Sequence, residues 1–171
     1  MDDRAAELSK LYKELGPDIW TYAVRKVGQG HDADEVLQDT FVVAARGFNA
    51  VQSAVSPKAW LIGIARKVIQ ERARRARSHR FSNLREDFAA APADQADWRV
   101  EEMRNAISRL PEAQRDVLEL RLESQLSYAE IAETLEIPVG TVRSRLHNAI
   151  LSLREWAADG GRAALKTSDE R

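Results

Sequence analysis

The sequence predicts an all-α protein of two small helical domains joined by a flexible linker. Apolar residues recur at three- and four-residue spacing, the period of a helix face, and no stretch alternates as a strand does. Aromatic residues make up 6% of the chain, thin for a β-sandwich. Between two periodic blocks lies a stretch rich in Ala, Asp and Ser, broken by Pro92, with little apolar period. The expected division is a domain over 1–80, a linker over 81–96, a second domain over 97–160 and a polar tail over 161–171. A frayed helix is the alternative reading of the linker.

The elements follow in order. Leu8, Leu11, Tyr12 and Leu15 form one apolar face, and Ile19, Tyr22 and Ala23 another. Gly16-Pro17 between them is expected to end the first helix and begin a second. Gly28 and Gly30 break that element. Asp32 is placed to cap the next helix, with Glu35 three positions on, and Leu37, Phe41, Ala44 and Phe48 form its stripe. Residues 47–57 lack a period and read as a loop. Pro57 opens a long helix to about Arg80, burying Trp60, Leu61, Ile64, Ala65 and Val68.

The second block holds four helical segments: Trp98 to Leu110, Pro111 to about Glu123, a short one opened by Ser127-Tyr-Ala-Glu130, and one running from Pro138 through Trp156. Ser127 and Glu130 have the capping-box spacing. Gly160-Gly161 is expected to stop the last helix.

Composition narrows the function. The chain has no cysteine, so disulfides, thiol catalysis and cysteine-type zinc sites are excluded. His31, His79 and His147 lie far apart, so no metal, cofactor or catalytic residue is expected. No apolar run reaches the ~18 residues of a membrane span, and the charged start MDDRAAELSK lacks a signal-peptide core. A cytoplasmic protein without membrane insertion is the expectation.

Net charge is -1, but its distribution is uneven: residues 58–80 hold eight Lys/Arg against one acid, Glu71. A local basic stripe is the footprint of a phosphate backbone. Lys67, Gln70, Arg74 and Arg77 fall on one face, widened by Arg66, Arg72, Arg75 and Arg80; the bland alternative is a solvated helix end.

Residues 127–150, SYAEIAETLEIPVGTVRSRLHNAI, have a short helix, a turn and a longer helix in helix-turn-helix order. Ala129, Ile131, Ala132, Leu135 and Ile137 can fill the inner angle. Val142, Leu146, Ile150 and Leu153 form the packing stripe. The opposite side presents Thr141, Arg143, Ser144, Arg145, His147 and Asn148, groups suited to base edges and phosphates, and Gly140 keeps the helix entrance slim. DNA binding is the reading; an ordinary helical hairpin is the alternative. A third segment, HDADEVLQDTF at 31–41, carries four acids and no Lys or Arg. Asp34, Glu35, Gln38 and Asp39 there suit a basic protein partner, against plain solubilising charge.

These segments resemble one family. Residues 110–154 are similar to the C-terminal domain of extracytoplasmic-function sigma factors, of the form LPE-R-x-V-L, LSYxEIA and GTVxSRLxRA; Glu136 replaces a frequent Gly and Asn148 a frequent basic residue. SPKAWLIGIARKVIQERARR resembles the family's WLxxIARNxxxDxxRR segment, with Lys67 for Asn and Glu71 for Asp. HDADEVLQDTF resembles its DAEDLVQETF. The match covers about 8–77 and 98–154. The resemblance implies an upstream (minus-thirty-five) element read by Gly140, Thr141, Arg143, Ser144, Arg145, His147 and Asn148. It implies a minus-ten element contacted and opened by Asn49, Lys58, Arg66, Lys67, Gln70, Arg74, Arg75 and Arg77, with an unpaired base held near 47–56. It also implies core RNA polymerase docked on Asp34, Glu35, Gln38 and Asp39, and an anti-sigma factor as a further partner.

Three other readings compete. A stand-alone helix-turn-helix regulator leaves the acidic and basic helices unexplained. A sigma-factor mimic need not keep the DNA face. A carboxylate-metal hydrolase would have to draw its ligands from one exposed helix, whereas catalytic carboxylates converge from several elements.

Overall fold

The computed structural model describes residues 2–80 and 98–168. The expected linker, 81–96, lies outside the described residues. Among the described residues the chain forms seven α-helices and one short 3-10 helix, with no strand. They are α1 (Asp2–Val27), α2 (His31–Arg46), the 3-10 helix (Phe48–Ser53), α3 (Pro57–Arg80), α4 (Trp98–Ser108), α5 (Glu112–Leu122), α6 (Tyr128–Leu135) and α7 (Val139–Ser168). Two compact units result: one contains α1–α3 and takes in Glu133–Glu136, and the other contains the rest of α4–α7.

In the first unit α1, α2 and α3 pack on one another around Ile19, Tyr22, Val36, Phe41, Leu61 and Ile62, all buried. Each aliphatic or aromatic side chain so buried contributes roughly 1.5–3 kcal/mol. Contrary to expectation, α1 runs unbroken through Gly16-Pro17. A proline ring disfavours helical geometry in the residue before it by striking that residue's Cβ. Gly16 has no Cβ, so the helix passes at the cost of one missing N–H. The start of α2 also differs. It follows Gly30 (φ 102) without a side-chain cap, and Asp32 sits in the first turn. The Gly30 carbonyl accepts from Ala33 N at 3.1 Å and Asp34 N at 3.3 Å. The inward stripe of α2 is Ala33, Val36, Thr40 and Ala44, with Phe41 beside it, while Leu37 is only half-buried.

The expected loop after α2 instead contains the 3-10 helix, opened by Ala50 N donating to Gly47 O at 2.9 Å. Buried Phe48 anchors it, with the Arg4 guanidinium 5.5 Å from its ring centre. Ser56 caps α3: its Oγ accepts from Ala59 N at 3.1 Å, and Pro57 takes the first position, where a missing N–H costs nothing.

In the second unit Leu110, Val117, Leu118, Leu126, Ile131, Val142 and Leu146 form the buried core. After α5 the chain turns at Gln125, whose φ is 56, and Leu126 N folds back to Leu120 O at 3.1 Å. α7 continues through Gly160-Gly161 to Ser168, so neither the expected stop nor a non-helical tail over 161–168 is found. Each glycine costs a helix about 1 kcal/mol relative to alanine, which disfavours but does not forbid it. The flanking Ala, Arg, Leu and Lys residues are good helix formers.

Candidate nucleic-acid interface

The helix-turn-helix is built by local chemistry. Ser127 and Glu130 form the reciprocal box: Ser127 N donates to Glu130 Oε2 at 2.7 Å, and Glu130 N donates to Ser127 Oγ at 3.3 Å. α6 closes by a backbone reversal at Glu136 (φ 55), with Ile137 N donating to Ala132 O at 3.0 Å. This 6→1 bond marks a Schellman motif, in which a left-handed residue satisfies orphan carbonyls. Pro138 then opens α7, its carbonyl accepting from Thr141 N at 2.9 Å and Val142 N at 3.2 Å. Ile131 and Ala132 fill the inner angle as expected, whereas Ala129 is exposed.

Among the residues of α7 whose burial is described, Val142, Leu146 and Ala149 are buried; Ile150, expected in the stripe, is 38% exposed. At about 100° per residue, the side opposite this stripe is centred on Ser144, with Gly140, His147 and Asn148 close to it. Arg143 and Arg145 lie about 100° to either side of Ser144. Arg143, Ser144, His147 and Asn148 are exposed, and Thr141 and Arg145 half-buried. A Cβ added at Gly140 would meet nothing, so the helix entrance is open. Ser144 Oγ donates to Thr141 O at 3.1 Å.

On α3, Lys67, Gln70, Arg74, Arg75 and Arg77 are exposed and Arg66 is half-buried. Glu71 bonds Arg74 Nη2 at 2.7 Å and Arg75 Nε at 3.0 Å, and these hydrogen bonds hold its carboxyl below the usual range. Two members of the expected minus-ten set stand differently. Asn49 is exposed on the 3-10 helix, while Lys58 is half-buried and pairs with Asp18 of α1 at 2.8 Å. Arg72, expected to widen the basic face, turns instead to α2, where it donates to Glu35 and, at 2.9 Å, to Asp39.

That contact recasts the acidic helix. Glu35 also lies 3.0 Å from His31 Nε2, and the hydrogen bond from Arg72 holds its carboxyl low. Asp34 accepts from the Trp20 indole at 2.9 Å. Gln38 is exposed. Three of the four expected docking groups are therefore engaged within their own unit. Trp20 and Arg72, which position them, were missed because their partners lie 14 to 37 residues away in sequence. No described helix is long and apolar enough to cross a membrane.

Comparison with known proteins places this geometry. Residues 11–79 match the family model of sigma-70 region 2, and residues 100–153 that of sigma-70, region 4. The RNA polymerase sigma factor HrpL of Pseudomonas syringae pv. syringae is 34% identical over 140 residues, 77% of this chain and 76% of the relative. The ECF RNA polymerase sigma factor SigL of Mycobacterium tuberculosis is 32% identical over 160 residues, 88% of each. In fold, the chain is similar to the sigma factor RpoE of Bartonella quintana, solved in complex with the anti-sigma factor NepR. The TM-score is 0.69 at 22% identity, covering 89% of this chain and 97% of that one. With both regions matched in order and relatives above 30% identity aligned along most of both chains, the protein belongs to the extracytoplasmic-function sigma factors, which direct RNA polymerase in promoter recognition and transcription initiation.

Proposed function

We infer that the two exposed faces divide promoter recognition between them. α7 enters the major groove of the upstream element through Gly140, Thr141, Arg143, Ser144, Arg145, His147 and Asn148. α3 meets the minus-ten element through Arg66, Lys67, Gln70, Arg74, Arg75 and Arg77. Asn49 on the 3-10 helix is offered to an unpaired base, and Lys58 supports the start of α3 through Asp18. Exposed bases held by stacking and edge hydrogen bonds lower the cost of opening. The acidic side of α2 docks core polymerase, led by Asp34 and Gln38, with Glu35 and Asp39 set in place by Arg72.

The observation that carries this reading is the capped α6–α7 pair, which leaves a line of hydrogen-bonding groups outward on α7 opposite its buried stripe. The protein acts by binding, without a catalytic step of its own, in the cytoplasm. The fold shared with RpoE, solved with NepR, supports an anti-sigma factor as a further partner. Run-off transcription with purified core polymerase tests the whole. Transcripts should appear only when the protein and core are combined. Tight operator binding without core, and no transcript with it, would favour a stand-alone regulator.

A further inference from the structure

We propose that Asn148 is a specificity-determining residue that selects an adenine in the duplex read by α7. The inference rests on the reading of α7 as the major-groove helix and names the base that one of its residues recognises.

Position comes first. Asn148 is exposed and lies one helical turn beyond Ser144, on the side facing away from the buried Val142, Leu146 and Ala149 and about 50° from the line opposite them, with His147 about as far on the other side. The two arginines flank that line, where a groove's phosphate walls stand. Ser144 and Asn148 are separated by about 6 Å along the axis, roughly two base-pair steps. The two residues therefore face different base pairs.

Chemistry selects between them. The Ser144 hydroxyl hydrogen is committed to Thr141 O, leaving Ser144 only lone pairs to offer a base. Gly140 offers no side chain. Asn148 offers a donor and an acceptor side by side on one planar amide. In the major groove adenine presents N7 as acceptor and N6 as donor, which an asparagine amide meets with two hydrogen bonds. Guanine presents two acceptors, so the amide oxygen would face a lone pair. Cytosine presents a donor only, and thymine an acceptor beside a methyl group. Adenine alone uses both halves of the Asn148 amide.

The test is sequence selection from duplexes randomised over the upstream element, with wild type, Asn148→Ala and Asn148→Arg. It is run twice: by binding to the full chain alone, and by transcription from the holoenzyme. Wild type should select adenine at one position, by between about 5- and 150-fold, the range of one bidentate base contact. Asn148→Ala should abolish selection at that position and leave the others. Asn148→Arg should move it to guanine, since arginine pairs with O6 and N7. A transcribing holoenzyme whose selected bases are the same in all three proteins overturns the inference and leaves the sigma-factor mechanism standing. Adenine selection that depends on Asn148 in the binding arm, with no transcript in the other, supports the inference and removes that mechanism.

Discussion

Arg72 on α3 donates to the Asp39 carboxylate on α2 at 2.9 Å, and its second Nη reaches Glu35 on the same helix. The pair joins the helix expected to contact DNA to the helix expected to contact polymerase, within one unit. Arg72→Ala should destabilise that unit by about 1 kcal/mol, through the lost pair and the lost packing of the arginine stem. Gln38→Lys, at the exposed member of the docking set, should instead lower core-polymerase affinity with little change in stability. Thermal melting and a core-binding titration on both variants separate the roles; equal losses of stability would merge them.

The same contact makes the first unit sensitive to acid. Glu35 is held below the ordinary glutamate value, first by the hydrogen bond from Arg72. A depressed carboxyl contributes stability in full above its unfolded value, near 4.3, and loses it as pH falls through the lower folded value. Wild type and Glu35→Gln should therefore melt apart at neutral pH and converge once pH has fallen below the ordinary glutamate range. A gap that persists at low pH would assign the effect to packing.

Gln125 holds φ 56, a conformation that costs an L-residue roughly 1–2 kcal/mol and glycine almost nothing. Gln125→Gly should raise the stability of the second unit by about 1 kcal/mol, less the extra entropy glycine loses on folding. Gln125→Ala should not. Urea midpoints of the two variants check this.

The box at the start of α6 gives a local prediction. Ser127→Ala should cost ~1 kcal/mol of stability, within the 0.5–2 kcal/mol of a lost cap. It should leave the salt dependence of duplex binding unchanged, since no phosphate contact is removed. A shallower salt slope would mean that Ser127 touches DNA.

The arginines of the two units should separate by assay. Arg143→Ala and Arg145→Ala, on the flanks of α7, should each reduce the salt slope of duplex binding by about 1 and weaken all sequences alike. Arg74→Ala with Arg77→Ala should slow promoter opening and leave the choice of upstream sequence intact. Filter binding across salt and permanganate footprinting distinguish the two. Normal binding with failed opening in the Arg143 and Arg145 variants would reverse the assignment.

What was legible in the sequence was what is local. Ser127 and Glu130 are three residues apart, so their box could be read directly. The face of α3 from Lys67 to Arg77 follows from helical period alone. By apolarity the stripe of α7 reads one residue out, at Ile150, because Ile is the more apolar of two neighbours, whereas geometry turns Ala149 inward. Gly16-Pro17 reads as a stop unless Gly16 is credited with making Pro17 tolerable. Arg72 reads as widening the basic face by its charge; its partners lie 33 and 37 residues back, where no local pattern points.

The length of α7 has a mechanical consequence. Thirty residues make a rod of about 45 Å, with the groove-facing line confined to its first turns. Any load applied near Ser168 would act through a long lever, and tilting such a rod by only about 5° moves its tip by roughly 4 Å. Gly160-Gly161 is the weakest joint along it, because glycine gives up the most freedom to stay helical. A pull or push at the far end therefore bends the rod at the glycines before it rotates Ser144 and Asn148.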